Sequence, residues 1–171
     1  KAHSDFQTLL DTLDEVEQLR LIFTKPNADT EGRIIGQMID EYVSSHPDKA
    51  VAHTSLGQLL YLSAMKHVDG VVGNSSSGII EAPSLRTGTI NIGDRQRGRV
   101  RAESVIDCKP DSHSIRLGLK RLLSRQFKEQ LCDVENPYGS GEVAKEIVER
   151  LRSYPLTNIL KKTFFDLCKS K

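Results

Sequence analysis

Hydrophobic and polar positions along the chain switch repeatedly between a helical period and short apolar runs. Residues 4–17 carry Phe6, Leu9, Leu10, Leu13 and Val16 at helical spacing, with Ser4 as the expected N-cap. Residues 19–24 (LRLIFT) form a compact apolar run, the pattern of a strand, and Pro26, Asn27 and Asp29 supply its stop, loop and cap. A helix is expected over residues 31–45, with Ile34, Ile35, Met38, Ile39 and Tyr42 on one face and His46-Pro47 as its end. A brief strand at 50–53 precedes a helix over 56–65, where Leu59, Leu60, Leu62 and Met65 mark the apolar side and Ser55 the cap. Further strands are expected at 68–72, 89–92 and 104–108. A short helix to about residue 85 follows the first of these, and a helix opened by Asp111 or Ser112 and running to about residue 123 follows the last. The chain closes with helices over 142–152 and 156–168, broken at Tyr154-Pro155.

This alternation of strand and helix, with short connections, predicts an α/β three-layer domain built on a parallel sheet. Such sheets bind ligands beyond the carboxyl ends of their strands. Three chemically suggestive stretches follow strands: residues 26–29, 73–78 and 93–101. Their common placement argues for one site.

The strongest of the three is residues 71–83, VVGNSSSGIIEAP. An apolar strand hands over to a helix through Asn74, three serines and Gly78. A helix start offers unpaired N–H groups and a partial positive charge, and the serine hydroxyls add donors, so the turn suits a phosphate. A plain capped helix is the alternative. Glu81 lies one turn after Ser77; it is either a surface residue or, beside a nucleotide, an acceptor for ribose hydroxyls. Arg95, Arg97, Arg99 and Arg101 alternate after Gly93-Asp94. Their planar forks suit phosphate oxygens. Arg95 stands nearest the strand end, and the other three read as a solvated basic loop.

Composition narrows the classes. The chain has 171 residues, 27% charged and 37% hydrophobic, with net charge +1, as in one soluble globular domain. The balanced charge, short basic run and few aromatics argue against nucleic acid. No apolar run approaches the ~20 residues that span a bilayer. Cys108, Cys132 and Cys168 are widely spaced and fit neither a zinc site nor a secreted disulfide framework; reduced thiols in a cytoplasmic protein are expected. His3, His46, His53, His67 and His113 show no metal-binding spacing. No Walker A, G-x-S-x-G or G-x-G-x-x-G motif is present. The chain opens at Lys1-Ala2-His3 without Met, and the expectation is a piece of a longer protein.

GNSSSGIIEAPS at 73–84 and TINIGDRQRGRVRAESVIDC at 89–108 resemble the C-terminal domain of UDP-N-acetylglucosamine 2-epimerases, most of all the hydrolysing branch of sialic acid synthesis. TKPNADTEGR at 24–33, SLGQLLYLSAMKHVDGVVGN at 55–74 and NPYGSGEVAKEIV at 136–148 extend the match over nearly the whole chain. The short spacing Gly78-Ile79-Ile80-Glu81 is the hydrolysing form, whereas non-hydrolysing relatives carry one more residue there. Arg86-Thr87-Gly88 departs from the family's usual wording before the next strand.

The resemblance implies the second Rossmann-like half of a GT-B fold, with the active site in a cleft shared with an N-terminal domain. It implies residues 1–154 as a UDP-binding domain and 155–171 as a C-terminal helix packing toward that missing domain. It implies UDP-N-acetylglucosamine and UDP as ligands and no cofactor. UDP would be eliminated by proton loss at sugar C2, and water addition would give N-acetylmannosamine. Carried over by position, Ser75 and Ser76 meet the diphosphate, Glu81 the ribose, Arg95 the nucleotide, Asn27 the neighbourhood of UDP and Leu56, through its backbone, the uracil. The family's catalytic carboxylates and its H-P histidine have no counterpart here, because His46-Pro47 stands in the wrong place; no catalytic residue is expected in this chain. A non-hydrolysing epimerase, a GT-B glycosyltransferase domain and a UDP-sugar-sensing module remain alternatives, and homo-oligomerisation is left open.

Overall fold

A computed structural model describes residues 2–26, 30–139, 141–157 and 159–161. Its first helix, α1 (Ala2–Asp14), serves two cores at once. Leu9 and Leu13 join Ile90, Ile106, Ile115 and Leu119 in one buried cluster, whereas Leu10 joins Met38, Tyr42 and Ala50 in another. Residues three and four apart share a helix side, so a broad apolar stripe can split between two neighbours. The helix starts two residues before the expected cap, and Ser4 lies inside it, its carbonyl accepting from Thr8 Oγ1 at 3.0 Å.

β1 (Leu21–Thr24) is followed by α2 (Thr30–Ser45) and then β2 (Ala50–His53). β1 and β2 pair in parallel, Leu21 opposite Ala50 and Thr24 opposite His53. α2 buries Met38, Ile39 and Tyr42 as its spacing predicts, but Ile34 points away and is exposed. α3 (Gly57–His67) turns differently from the expectation. Leu59 is 80% exposed, Leu60 is 62% exposed and Met65 is buried. Tyr61 and Met65, four residues apart, face the next segment, which leaves Leu59 on the far side. The Oγ1 of Thr87 donates to the Met65 carbonyl at 2.9 Å, and the Tyr61 hydroxyl lies 2.6 Å from Ser77 Oγ.

β3 (Val71–Gly73), β4 (Thr89–Ile92) and β5 (Val105–Cys108) form a second parallel sheet with β4 in the centre. The expected single sheet is therefore two parallel sheets among the described residues. β3 is shorter than predicted because Val68 belongs to the end of α3, its N–H bonded to the Ala64 carbonyl. That leaves three residues for pairing.

The two faces of the second sheet can be assigned from β4, since successive side chains point to opposite sides. A Cβ on Gly78 of α4 (Ser77–Ile80) would meet Thr89, and a Cβ on Gly118 of α5 (Ser112–Leu122) would meet Cys108 and Ile90. Thr89 and Asn91 thus face α4, while Ile90 and Cys108 face α5. The α5 side is the apolar core, with Ile90 and Ile115 fully buried, each such side chain contributing about 1.5–3 kcal/mol. Asp111 caps α5, its Oδ1 accepting from the Ser114 N–H at 2.8 Å. α6 (Arg125–Gln130) is not expected from the sequence pattern, being too short for periodicity; it is capped by Ser124 and buried through Phe127.

The chain divides into two compact units, Lys1–Tyr138 and Gly139–Lys171. Everything described above lies in the first. The second contains α7 (Val143–Ser153), where Val143, Ile147 and Leu151 lie at helical spacing and are exposed. A helix is expected from residue 156, but residue 156 is irregular, residues 157, 159 and 160 are turns and residue 161 is a bend; residues 158 and 162–171 lie outside the described set.

Candidate functional site

The carboxyl ends of β3 and β4 lie side by side, with Gly73 opposite Asn91. The serine turn leaves one and the basic loop leaves the other, so two of the three stretches singled out in the sequence emerge at one sheet end. Gly93, with φ of 78°, takes a left-handed turn that bends the chain away from β4 into that loop.

The serine turn is only lightly capped. Ser76 stands at the N-cap of α4 but has helical backbone angles (φ −63°, ψ −25°), and its side chain makes no cap bond. A capping residue ordinarily needs an extended backbone to reach back to the helix. Ser75 does the work instead, its Oγ accepting from the Ser77 N–H at a long 3.4 Å and lying 3.2 Å from Ser77 Oγ. α4 is a single turn that passes through Glu81 into a 3-10 turn at Ala82–Leu85. Its dipole is correspondingly small, and the donors at its start are chiefly local hydroxyls and N–H groups. Gly78 is needed for contact with the sheet: a Cβ there would come within 2.6 Å of Thr89 Cγ2.

Arg95 reaches this turn. Its Nη1 lies 3.4 Å from Asn74 Oδ1. The next residue, Gln96, is 4% exposed and donates from Nε2 to the Asn74 main-chain carbonyl at 2.8 Å. Arg101, expected in a solvated loop, instead secures that loop. Its Nε pairs with Asp107 at 3.0 Å, and its Nη2 donates to the Gln96 carbonyl at 3.1 Å. Asp107 also accepts from Asn91 Nδ2 at 2.7 Å. Asn91 is 1% exposed, and its Oδ1, like Gln96 Oε1, is buried without a hydrogen-bond partner among the described residues. This polar network lies on the α4 face of the sheet, directly behind the serine turn.

On its other flank the turn meets a hollow of about 330 Å3 lined by Thr24, Thr54, Ser55, Leu56, Gly57, Gln58 and Tyr61. Leu56 is the N-cap of α3 and lines this hollow; the preceding Ser55 accepts from the Gly57 N–H at 3.2 Å. Tyr61 joins the hollow to the turn through its contact with Ser77.

Of the residues singled out in the sequence, Ser75, Ser76 and Arg95 therefore lie around one turn, and Leu56 lines the hollow joined to it. Glu81 is exposed at the end of α4, and its carboxylate makes no hydrogen bond or ion pair among the described residues. Asn27 lies outside the described residues. Sequence patterning does not mark Tyr61, Asn74, Gln96 or Arg101 individually as site residues. Tyr61 lies in a leucine-rich helix whose spacing points to the leucines as the inward face, and a buried glutamine between arginines carries no periodic signal. Among the described residues no group of three or more His, Cys, Asp or Glu is placed to hold a metal ion. No helix there is long and apolar enough to cross a membrane.

The family model described as UDP-N-acetylglucosamine 2-epimerase matches residues 1–152. A hydrolysing GDP/UDP-N,N'-diacetylbacillosamine 2-epimerase of Campylobacter jejuni is 40% identical over 95% of this chain and 42% of its own length. A hydrolysing UDP-N,N'-diacetylbacillosamine 2-epimerase of Legionella pneumophila is 35% identical over 81% of this chain and 35% of its own. The chain thus spans less than half the length of these relatives. The fold resembles that of the UDP-GlcNAc 2-epimerase of Methanocaldococcus jannaschii solved with UDP-GlcNAc and UDP, with a TM-score of 0.69 at 18% identity, covering 87% of this chain and 41% of that one.

Proposed function

The chain belongs to the UDP-N-acetylglucosamine 2-epimerase family, and from that premise we propose that it supplies the UDP-holding part of a hydrolysing 2-epimerase. The observation that carries the proposal is the connected series of groups from the hollow, through Tyr61 and Ser77, to Asn74 and Arg95. A nucleoside diphosphate has the matching order: a flat base, a ribose with vicinal hydroxyls, and two phosphates.

In this arrangement the backbone at Leu56 meets the uracil in the hollow. Ser75 and Ser76 donate to the diphosphate, and Arg95 adds a charged fork to the same oxygens. Glu81 accepts from the ribose hydroxyls, and by its position in the sequence motif Asn27 serves the same nucleotide. Holding UDP by its charge assists the reaction directly, because UDP is the leaving group. The sugar loses its C2 proton and the C1–O bond breaks, releasing UDP and an unsaturated sugar. Water then adds across the new double bond to give free N-acetylmannosamine. The groups that move these protons come from the remainder of the longer protein. The free thiols of Cys108 and Cys132 favour a reducing, cytoplasmic setting.

The names of the Campylobacter and Legionella relatives favour a second substrate reading, in which the sugar bears two N-acetyl groups. Incubating the full-length protein separately with UDP-N-acetylglucosamine and UDP-N,N'-diacetylbacillosamine, with and without an acceptor sugar, tests both. Free 2-epimer plus UDP is expected, and the faster substrate identifies the sugar. A product still linked to UDP, or UDP release only with an acceptor, would overturn the hydrolysing reaction. The 171-residue chain should bind UDP without turnover.

A further inference from the structure

Glu81 sits on a segment whose backbone is held at every adjacent point. Its N–H donates to the Ser77 carbonyl at 2.9 Å, and its carbonyl accepts from the Ser84 N–H at 3.1 Å. The α-helix cannot continue past this point because Pro83 has no N–H to offer. A helix that stops leaves carbonyls in need of partners. One of them, on Ile80 immediately before Glu81, is taken by a residue 56 positions away: Asn136 Nδ2 donates to it at 2.8 Å. The same amide nitrogen donates to Ser84 Oγ at 2.6 Å. Both amide protons of Asn136 are therefore spent on the two sides of Glu81. Its Oδ1 accepts from the Tyr138 N–H at 2.9 Å, and the Tyr138 hydroxyl donates to the Val100 carbonyl of the basic loop at 3.0 Å. One short loop thus ties the segment carrying Glu81 to the loop carrying Arg95.

We propose that Asn136 is the positioning residue for the Glu81 carboxylate, setting it to accept from the ribose of a bound uridine nucleotide. The proposal rests on the ribose role given to Glu81 above. A fixed backbone beneath an unpaired carboxylate is what selective recognition of two neighbouring hydroxyls requires, because a mobile acceptor spends binding energy on its own ordering.

The test is calorimetric titration of the protein with UDP and with 2'-deoxy-UDP, alongside thermal unfolding. Wild type should prefer UDP about tenfold, the worth of one hydrogen bond to a charged group. Asn136→Asp keeps the size and removes both donors; it should bring the two ligands to within about twofold, through loss of UDP affinity alone. Ser84→Ala removes one acceptor at an exposed position, preserves the fold and should lower the preference partway. A preference that stays at the wild-type value in both variants overturns the proposal. So does an equal weakening of both ligands, which a purely structural tie would produce. Wild type that binds UDP and 2'-deoxy-UDP equally would instead remove the ribose role of Glu81, and the positioning role with it.

Discussion

Arg95 and Gln96 are neighbours in the chain with opposite surroundings. The arginine is exposed, whereas the glutamine is 4% exposed and grips the backbone of Asn74. The guanidinium is therefore presented from a fixed loop, so part of the entropy of ordering it is already met in the free protein. Arg95→Ala should reduce UDP affinity about tenfold or more while leaving uridine nearly unaffected, the scale of a charge-assisted contact. Calorimetry with both ligands checks this, and equal losses would place Arg95 away from the phosphates. At this scale the sequence was informative about chemical type and poor about fate. Arg97, Arg99 and Arg101 look interchangeable in the sequence, yet Arg101 is consumed by Asp107 and the Gln96 carbonyl. Only the chain's return at β5 decides that, and no local pattern encodes it.

Among the elements, α4 is tightly constrained by its contact with the sheet. Gly78→Ala would drive a methyl group to 2.6 Å from Thr89 Cγ2. Either α4 lifts or β4 shifts, and overpacking of this kind costs about 1–3 kcal/mol. Denaturant unfolding should register that loss, and UDP affinity should fall with it because the serine turn moves with the helix. A second consequence belongs to α1 and α2. The Tyr42 hydroxyl donates to Asp14 Oδ1 at 2.6 Å, Lys49 Nζ donates to the same oxygen at 2.9 Å, and His46 stacks on Tyr42. Burial alone would raise the Asp14 carboxyl, but the bonds from Tyr42 and Lys49 outweigh it and hold its pKa below the ordinary value. Burial, with donation to Asp14, raises the Tyr42 phenol.

A lowered carboxyl stabilises the fold above its unfolded pKa of about 3.9, and that stability is lost as pH falls through the folded value. A raised phenol stabilises the fold below about pH 10, and that stability is lost as pH rises through its folded value. Urea midpoints should therefore be flat between these limits and fall on both sides. Tyr42→Phe should flatten the alkaline fall; an unchanged alkaline limb would mean the phenol does not tie the two helices.

Across the whole molecule, the order of strands and helices in the first unit was legible, α6 apart, because the other elements carry their own period or apolar run. β2, β4, β5 and α2 fall within a residue of expectation. What was not legible depends on partners distant in sequence: which side of α3 turns inward, the division into two sheets, and the return of Asn136 to Ile80. Two of the stretches that follow strands, 73–78 and 93–101, were legible as neighbours, since the carboxyl ends of parallel strands collect their loops at one side. The polar network behind the turn was not, because Asn91 and Asp107 meet only through the register of β4 and β5.

The Tyr61–Ser77 pair carries one more consequence. Two hydroxyls 2.6 Å apart can share their bond in either direction. An anion seated at the serine turn claims the Ser77 proton and obliges the phenol to point its own proton toward the serine oxygen. The lone pairs of Tyr61 then turn toward the hollow. In the proposed UDP site, occupancy of one end would thereby rewrite the donor pattern of the other, and calorimetry should find UDP bound more tightly than its two halves, bound separately, would predict.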